Sequence, residues 1–329
     1  MSELSNPFTP EKPLNPDVAG AVKALFGAET AENVRRELGE TPTEPTLVED
    51  FNVDPTDDIL GQTEQAEANA IKEAKEVKKL FGENFFGQKQ IESAFTIKNE
   101  QGQDIKLIDL SPSERQQAEQ MLIEKLQEDD IKTFLSKPEN QQDIKDGKYL
   151  LILRVNTIKV NGQDIPLTIK AMNDLIDPDM EEKGQGKLLL NTRTESFFTT
   201  TTPAVALGEL RRAQPTFEWT IVTKDVVQST LVKDHSTQTI KLQEEADRIG
   251  IDSTKIKRRQ PVQTVFDHLV SLRTINQRLL ENTLDWSSDE SFSPGCLAWC
   301  VGDGGSDGLR LFGWSPDGSR SSLGASLSR

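Results

Sequence analysis

An α+β fold is what this sequence predicts, and three patterns predict it. From Tyr149, the stretch YLLILRVNTIKVNGQDIPLT reads as a strand, a turn at Asn161-Gly162 of the hairpin-favouring kind and a short return strand. Two amphipathic helices come later: STQTIKLQEEADRIG, starting on Asp234 or Ser236, and PVQTVFDHLVSLRTINQRLL, opened by Pro261. The second sets Val262, Phe266, Leu269, Leu272, Ile275 and Leu279 near one face, as a core helix would. Near the end of the chain, CLAWCVG and GLRLFGW alternate with the period of half-buried strands, placing Leu297, Trp299, Val301, Leu309 and Leu311 inward. The two helices should therefore pack on a small sheet that the C-terminal strands complete, in a domain spanning residues 146–329.

The remaining elements follow in chain order. Residues 1–60 hold 7 of the 16 prolines and 13 acidic against 4 basic side chains, which predicts a disordered acidic arm. Within it Val22, Leu25 and Phe26 stand at helical spacing. Strong helix formers run from Gln62 to Leu80, with Gly82 as the stop. FTIKNEQGQDIKLIDL predicts two short strands around a Gly-containing turn, and Ser111 with Glu114 forms a capping box with Pro112 in the first helical position. DDIKTFL reads as a short helix ending before Lys137-Pro138. Residues 61–145 thus look like a helical or mixed module for adaptor or oligomerisation duty. Beyond Asn161-Gly162, IKAMNDLI is a short helix, and KGQGKLLL and FEWTIVT read as strands around the loop FFTTTTPAVALGELRRAQP.

Composition removes several classes of function. A net charge of -16, from 54 acidic and 38 basic residues, disfavours nucleic acid and anionic membrane as partners, because phosphate neutralisation needs clustered Lys and Arg. No apolar run has the length of a membrane span, and MSELSNPFTPEKPLNP has no leader pattern, so the location expected by default is cytoplasmic. Two cysteines, Cys296 and Cys300, make no disulfide scaffold; four positions apart on one strand they are too distant to pair. His235 and His268 complete no metal cage, and VGDGGSDG leads into a strand instead of the helix a phosphate cradle needs. No cofactor and no catalytic set are expected.

After Trp286 the composition changes. From Gly295 onward the chain has 8 of its 21 glycines, both cysteines, two of four tryptophans and no Lys. The ending VGDGGSDGLRLFGWSPDGSRSSLGASLSR resembles the C-terminal variable region of diversity-generating retroelement target proteins. The matching letters are Val301, Gly302, Gly308, Leu309, Trp314, Pro316, Leu323, Gly324, Ser328 and Arg329. Gly304, Ala325 and the stretch ALGELRRAQPTFE depart from that pattern. The resemblance covers about Asp146 to Arg329. It implies a C-type lectin-like fold, related to that of formylglycine-generating enzymes, displaying a hypervariable surface over residues 296–329.

That resemblance and the strand alternation together nominate a ligand-binding patch: Ala298, Cys300, Asp303, Gly305, Arg310, Phe312, Gly313, Ser315, Asp317, Ser319, Arg320, Ser321 and Ser322. Small polar residues with a few aromatic anchors suit adaptable recognition of a macromolecular ligand, above all a protein. The expected function is non-enzymatic recognition. Two alternatives stand beside it: a phage or cell-surface structural or adhesion protein assembling as a homo-oligomer through the helical module, and an enzyme of the formylglycine-generating type using the cysteines.

Overall fold

The computed structural model describes residues 57–188, 213–287, 298–302, 308–315 and 317–329. The arm with Val22, Leu25 and Phe26, and most of the threonine-rich stretch, lie outside the described residues. Helix α1 (Asp57–Phe81) ends at Gly82, whose φ of +55° is the left-handed stop the sequence calls for.

The chain divides into Met1–Glu73 and Ala74–Arg329, and the residues on both sides of the boundary expected between 145 and 146 lie in the second unit. The reason is a shared sheet. Its centre is β4 (Tyr149–Arg154), buried along its whole length and paired antiparallel with β7 (Glu218–Thr223). On the other side β4 pairs in parallel with β1 (Phe85–Phe86), which belongs to the expected middle module. Helix α2 (Gln88–Ala94) and the hairpin of β2 (Thr96–Lys98) and β3 (Asp104–Lys106) follow β1. Phe95, between α2 and β2, stacks on Phe266 at 5.5 Å, and Trp219 Nε1 of β7 donates to the Ala118 carbonyl at 2.7 Å. The middle residues have no separate core to bury, so they complete this one.

Local signals account for most of the remaining elements. Helix α3 (Pro112–Gln127) starts on the capping box: Ser111 N donates to Glu114 Oε2 at 2.7 Å, and Glu114 N to Ser111 Oγ at 3.3 Å. Helix α4 (Asp129–Ser136) stops before Lys137, but Pro138 does more than interrupt; it opens α5 (Pro138–Lys145), its fixed φ suiting a first turn. The long expected strand breaks after Arg154. Strands β5 (Thr157–Val160) and β6 (Gln163–Pro166) form a separate hairpin, turning at Asn161 (φ +52°) and Gly162 (φ +77°).

Helix α6 (Ile169–Glu182) is longer than IKAMNDLI and carries Pro178 within it. The expected strand in KGQGKLLL is not found in its described part, 183–188, because Gly184 and Gly186 turn the chain with φ of +68° and +77°. Helix α7 (His235–Ile249) is capped by Asp234, whose Oδ1 accepts from Thr237 N at 2.8 Å. Helix α8 (Pro261–Ile275) ends at left-handed Asn276, five residues short of the run to Leu280, although Leu279 is buried all the same.

A second sheet has the order β10-β9-β8-β11. Its strands are β8 (Leu284–Trp286), β9 (Ala298–Gly302), β10 (Arg310–Trp314) and β11 (Leu323–Gly324). Past β11 the tail returns to the first sheet, where Ile221 and Arg329 exchange main-chain hydrogen bonds of 2.8 and 2.9 Å.

One buried ionic chain joins the two sheets. Arg154 of β4 binds Asp267 of α8 with both forks, Nε to Oδ1 at 3.0 Å and Nη2 to Oδ2 at 2.7 Å. Arg259 takes the same carboxylate at 3.3 Å, then Asp285 of β8 at 3.1 Å and Ser326 Oγ of the tail at 2.6 Å. All four charged groups are essentially inaccessible, and they sum to zero. Removing Arg259 as Arg259→Met would leave two buried carboxylates short of a partner, and chemical denaturation is expected to register a loss of about 3–5 kcal/mol. A loss under about 1 kcal/mol would mean the network is structurally idle.

His268, also fully buried on α8, lies within hydrogen-bond distance of the Leu279 main chain through Nδ1, while Nε2 has no partner. Burial pushes its pKa down to about 4 from 6.5. The folded protein therefore binds this proton less readily than the unfolded chain. Stability from this group is complete above pH 6.5 and is lost as pH falls towards 4. His268→Gln is expected to flatten the stability profile across that window by about 3 kcal/mol, read from denaturation midpoints at stepped pH.

Candidate functional site

The C-terminal surface rests on the second sheet, and register decides which residues face where. In β9 and β10, Leu311 lies opposite Val301 and Phe312 opposite Cys300. Val301, Leu309 and Leu311 are buried, while Arg310 is exposed. Asp285 of β8 is in register with Val301, so its side of the sheet is the one tied to Arg259 near α8. The pairing places Trp314 opposite Ala298, in phase with Arg310 and Phe312 and out of phase with Leu311.

Two glycines let the strands come together. At Gly302, φ is +152° and an added Cβ would stand 2.2 Å from the Thr283 carbonyl oxygen. At Gly324 a Cβ would meet Thr230 Oγ1 and Val226 at 2.8 Å. Both positions exclude side chains by contact with fixed neighbours.

Between β10 and β11, the described parts of the 315–322 loop are held through the main chain. Gly318 N donates to the Ser315 carbonyl at 2.8 Å, and Leu323 N to that of Arg320 at 3.2 Å. Val232 N reaches the same Arg320 carbonyl at 3.2 Å, and Leu284 N of β8 reaches that of Ser322 at 2.8 Å. Just beyond, Gln238 Nε2 donates to the Leu323 carbonyl at 3.2 Å, Ala325 N to buried Thr230 Oγ1 at 2.9 Å, and Ser326 N to Asp285 Oδ1 at 2.8 Å. The loop is thus pinned at its end by groups that do not depend on its own side chains.

Of the nominated residues, Arg310, Ser315, Asp317, Ser319, Arg320 and Ser321 are exposed and Ser322 is half-buried. Ala298, Cys300, Phe312 and Gly313 are placed by strand backbone, whereas Asp303 and Gly305 lie outside the described residues, as do Leu297 and Cys296. Neither histidine joins a metal cluster among the described residues. His235 instead packs edge-on against Trp286 at 5.1 Å, and Arg258 donates to the carbonyls of both, at 2.8 Å for His235 and 3.1 Å for Trp286. Asp234, beside it, has its pKa pulled down to about 2 by the hydroxyl of Ser236 and by Thr237, as a charged cap should.

The sequence reading missed Val232. It stands next to Arg320, is 58% exposed, and adopts φ +59°, a conformation that β-branched residues avoid. Nothing in LVKDHS signals this, since a tertiary hydrogen bond holds the residue there. No family model matches the chain, no curated protein matches it, and no solved structure matches it. No helix among the described residues is long and apolar enough to cross a membrane.

Gly302→Ala and Ser319→Ala separate scaffold from display. The first is expected to cost at least about 1–3 kcal/mol through overpacking against Thr283. The second should stay within about 0.5 kcal/mol of the parent. Equal effects on thermal unfolding would mean that the loop side chain is part of the scaffold.

Proposed function

We propose that Ala74–Arg329 is a C-type lectin-like recognition domain, of the kind used by diversity-generating retroelement targets, which binds a protein ligand without catalysis. One observation carries this reading. The 315–322 loop ends in main-chain anchors on β8 and Val232, while most of its described side chains face solvent. Such a loop can change side chains with little cost to the fold, which is what an adaptable paratope requires. Buried Val301, Leu309, Leu311 and Leu323 would be the constant letters, and Arg310, Ser315, Asp317, Ser319, Arg320, Ser321 and Ser322 the variable ones, joined by the remaining nominated positions.

The reading is tested by randomising Arg310, Ser315, Asp317, Ser319, Arg320 and Ser321 together, displaying the library and selecting against one purified protein such as lysozyme. Most members are expected to fold, and selected members to bind lysozyme through the randomised positions, with affinity lost on reverting them. A library that is largely unfolded would overturn the reading. A template repeat and a reverse transcriptase beside the coding sequence would identify the source of variation.

A further inference from the structure

Among the described residues, the large exposed hydrophobics are Ile105, Val232 and Ile240, and of these Val232 alone has a left-handed backbone, with φ +59°. The other described residues that share this conformation while carrying a side chain are Asn161, Asn276 and Leu280. Asparagine tolerates it, and Leu280 is buried, so packing holds it there. Neither reason applies to Val232. It is β-branched, the type least suited to a positive φ, and it is 58% exposed.

The fold uses the backbone of this residue and not its side chain. Val232 N donates to the Arg320 carbonyl at 3.2 Å, and Val227 N donates to the Ala325 carbonyl at 2.8 Å, so residues 227–232 run beside 320–325. Any residue with an N–H could make the first of these bonds, and Asn or Gly would make it with less strain. The apolar side chains that this segment gives to the core are Val226, Val227 and Leu231. Val232 is left outside, next to a loop whose described exposed side chains, Ser315, Asp317, Ser319, Arg320 and Ser321, are all polar.

A recognition surface needs apolar area at its core as well as polar contacts around it. We propose that Val232 is a fixed apolar contact of the recognition surface: a protein seated on the 315–322 loop also packs an apolar patch of its own against the Val232 side chain. The contact rests on the role proposed above for that loop, and it adds to the surface a residue that lies well before 296–329 in the chain. The loop supplies contacts that can change from one ligand to the next, whereas Val232 supplies one that does not. The left-handed backbone is then kept, at a cost to the fold, because ligand contact needs the valine side chain.

Val232→Asn in the full chain separates ligand contact from scaffold. Its denaturation midpoint is expected to equal or exceed that of the parent, because Asn relieves the left-handed strain. The same substitution is then placed in several independent lysozyme binders selected from the library randomised at Arg310, Ser315, Asp317, Ser319, Arg320 and Ser321, and Kd is measured by surface plasmon resonance. Most binders are expected to weaken about fivefold or more, as burial of the exposed part of a valine side chain implies. A lowered midpoint would assign Val232 to the scaffold and overturn the inference. Binders that lose lysozyme on reversion of the loop but are unmoved by Val232→Asn would overturn it too, while leaving the role of the loop intact. A folded library that yields no lysozyme binder removes both.

Discussion

Everything at the C-terminal end of this protein depends on the buried chain Arg154–Asp267–Arg259–Asp285. Charges taken out of water are tolerated only when each is matched, and here each arginine fork finds carboxylate oxygens at 2.7–3.3 Å. Strand β4 of one sheet, helix α8 and strand β8 of the other contribute one group each, and Arg259 links them. Because the pairs fit in one arrangement, the network sets where β8 stands. From Asp285 the same network reaches Ser326, so the tail is located by it too. A purely apolar contact would permit sliding; directional forks do not.

The tail then divides labour between backbone and side chain. Its scaffold positions are held by buried leucines, by Gly302 and Gly324 where no Cβ fits, and by carbonyls that accept from Val232 and Leu284. None of those restraints consults the side chains of Ser315, Ser319 or Ser321. Main-chain hydrogen bonds depend little on residue type, which supports the proposed reading of the loop as a surface whose side chains can change. Val232, kept in a left-handed conformation beside Arg320, shows that the surrounding structure over-determines this region.

Helix α7 serves both faces of this arrangement. Inward it supplies Gln238 to the tail, and His235 at its N-terminus packs on Trp286. Outward it presents Ile240, 55% exposed, among polar side chains.

By itself the sequence determined the local elements. The Ser111–Glu114 box, Asn161-Gly162, Asp234, Pro261 and the alternation around Val301 and Leu311 act over a few residues, and each led to the helix, turn or strand it implies. Short-range signals said little about which elements share a sheet. Phe85 and Phe86 pair with Leu151 and Ile152 across more than sixty positions, on either side of the boundary expected at residue 146. Of the candidate site, strand alternation made Arg310 and Leu311 legible, but the pairing partners of the strands and the strained exposure of Val232 were not. Register and a left-handed backbone are fixed by partners distant in the chain, and only the folded tertiary structure brings those partners within hydrogen-bonding distance.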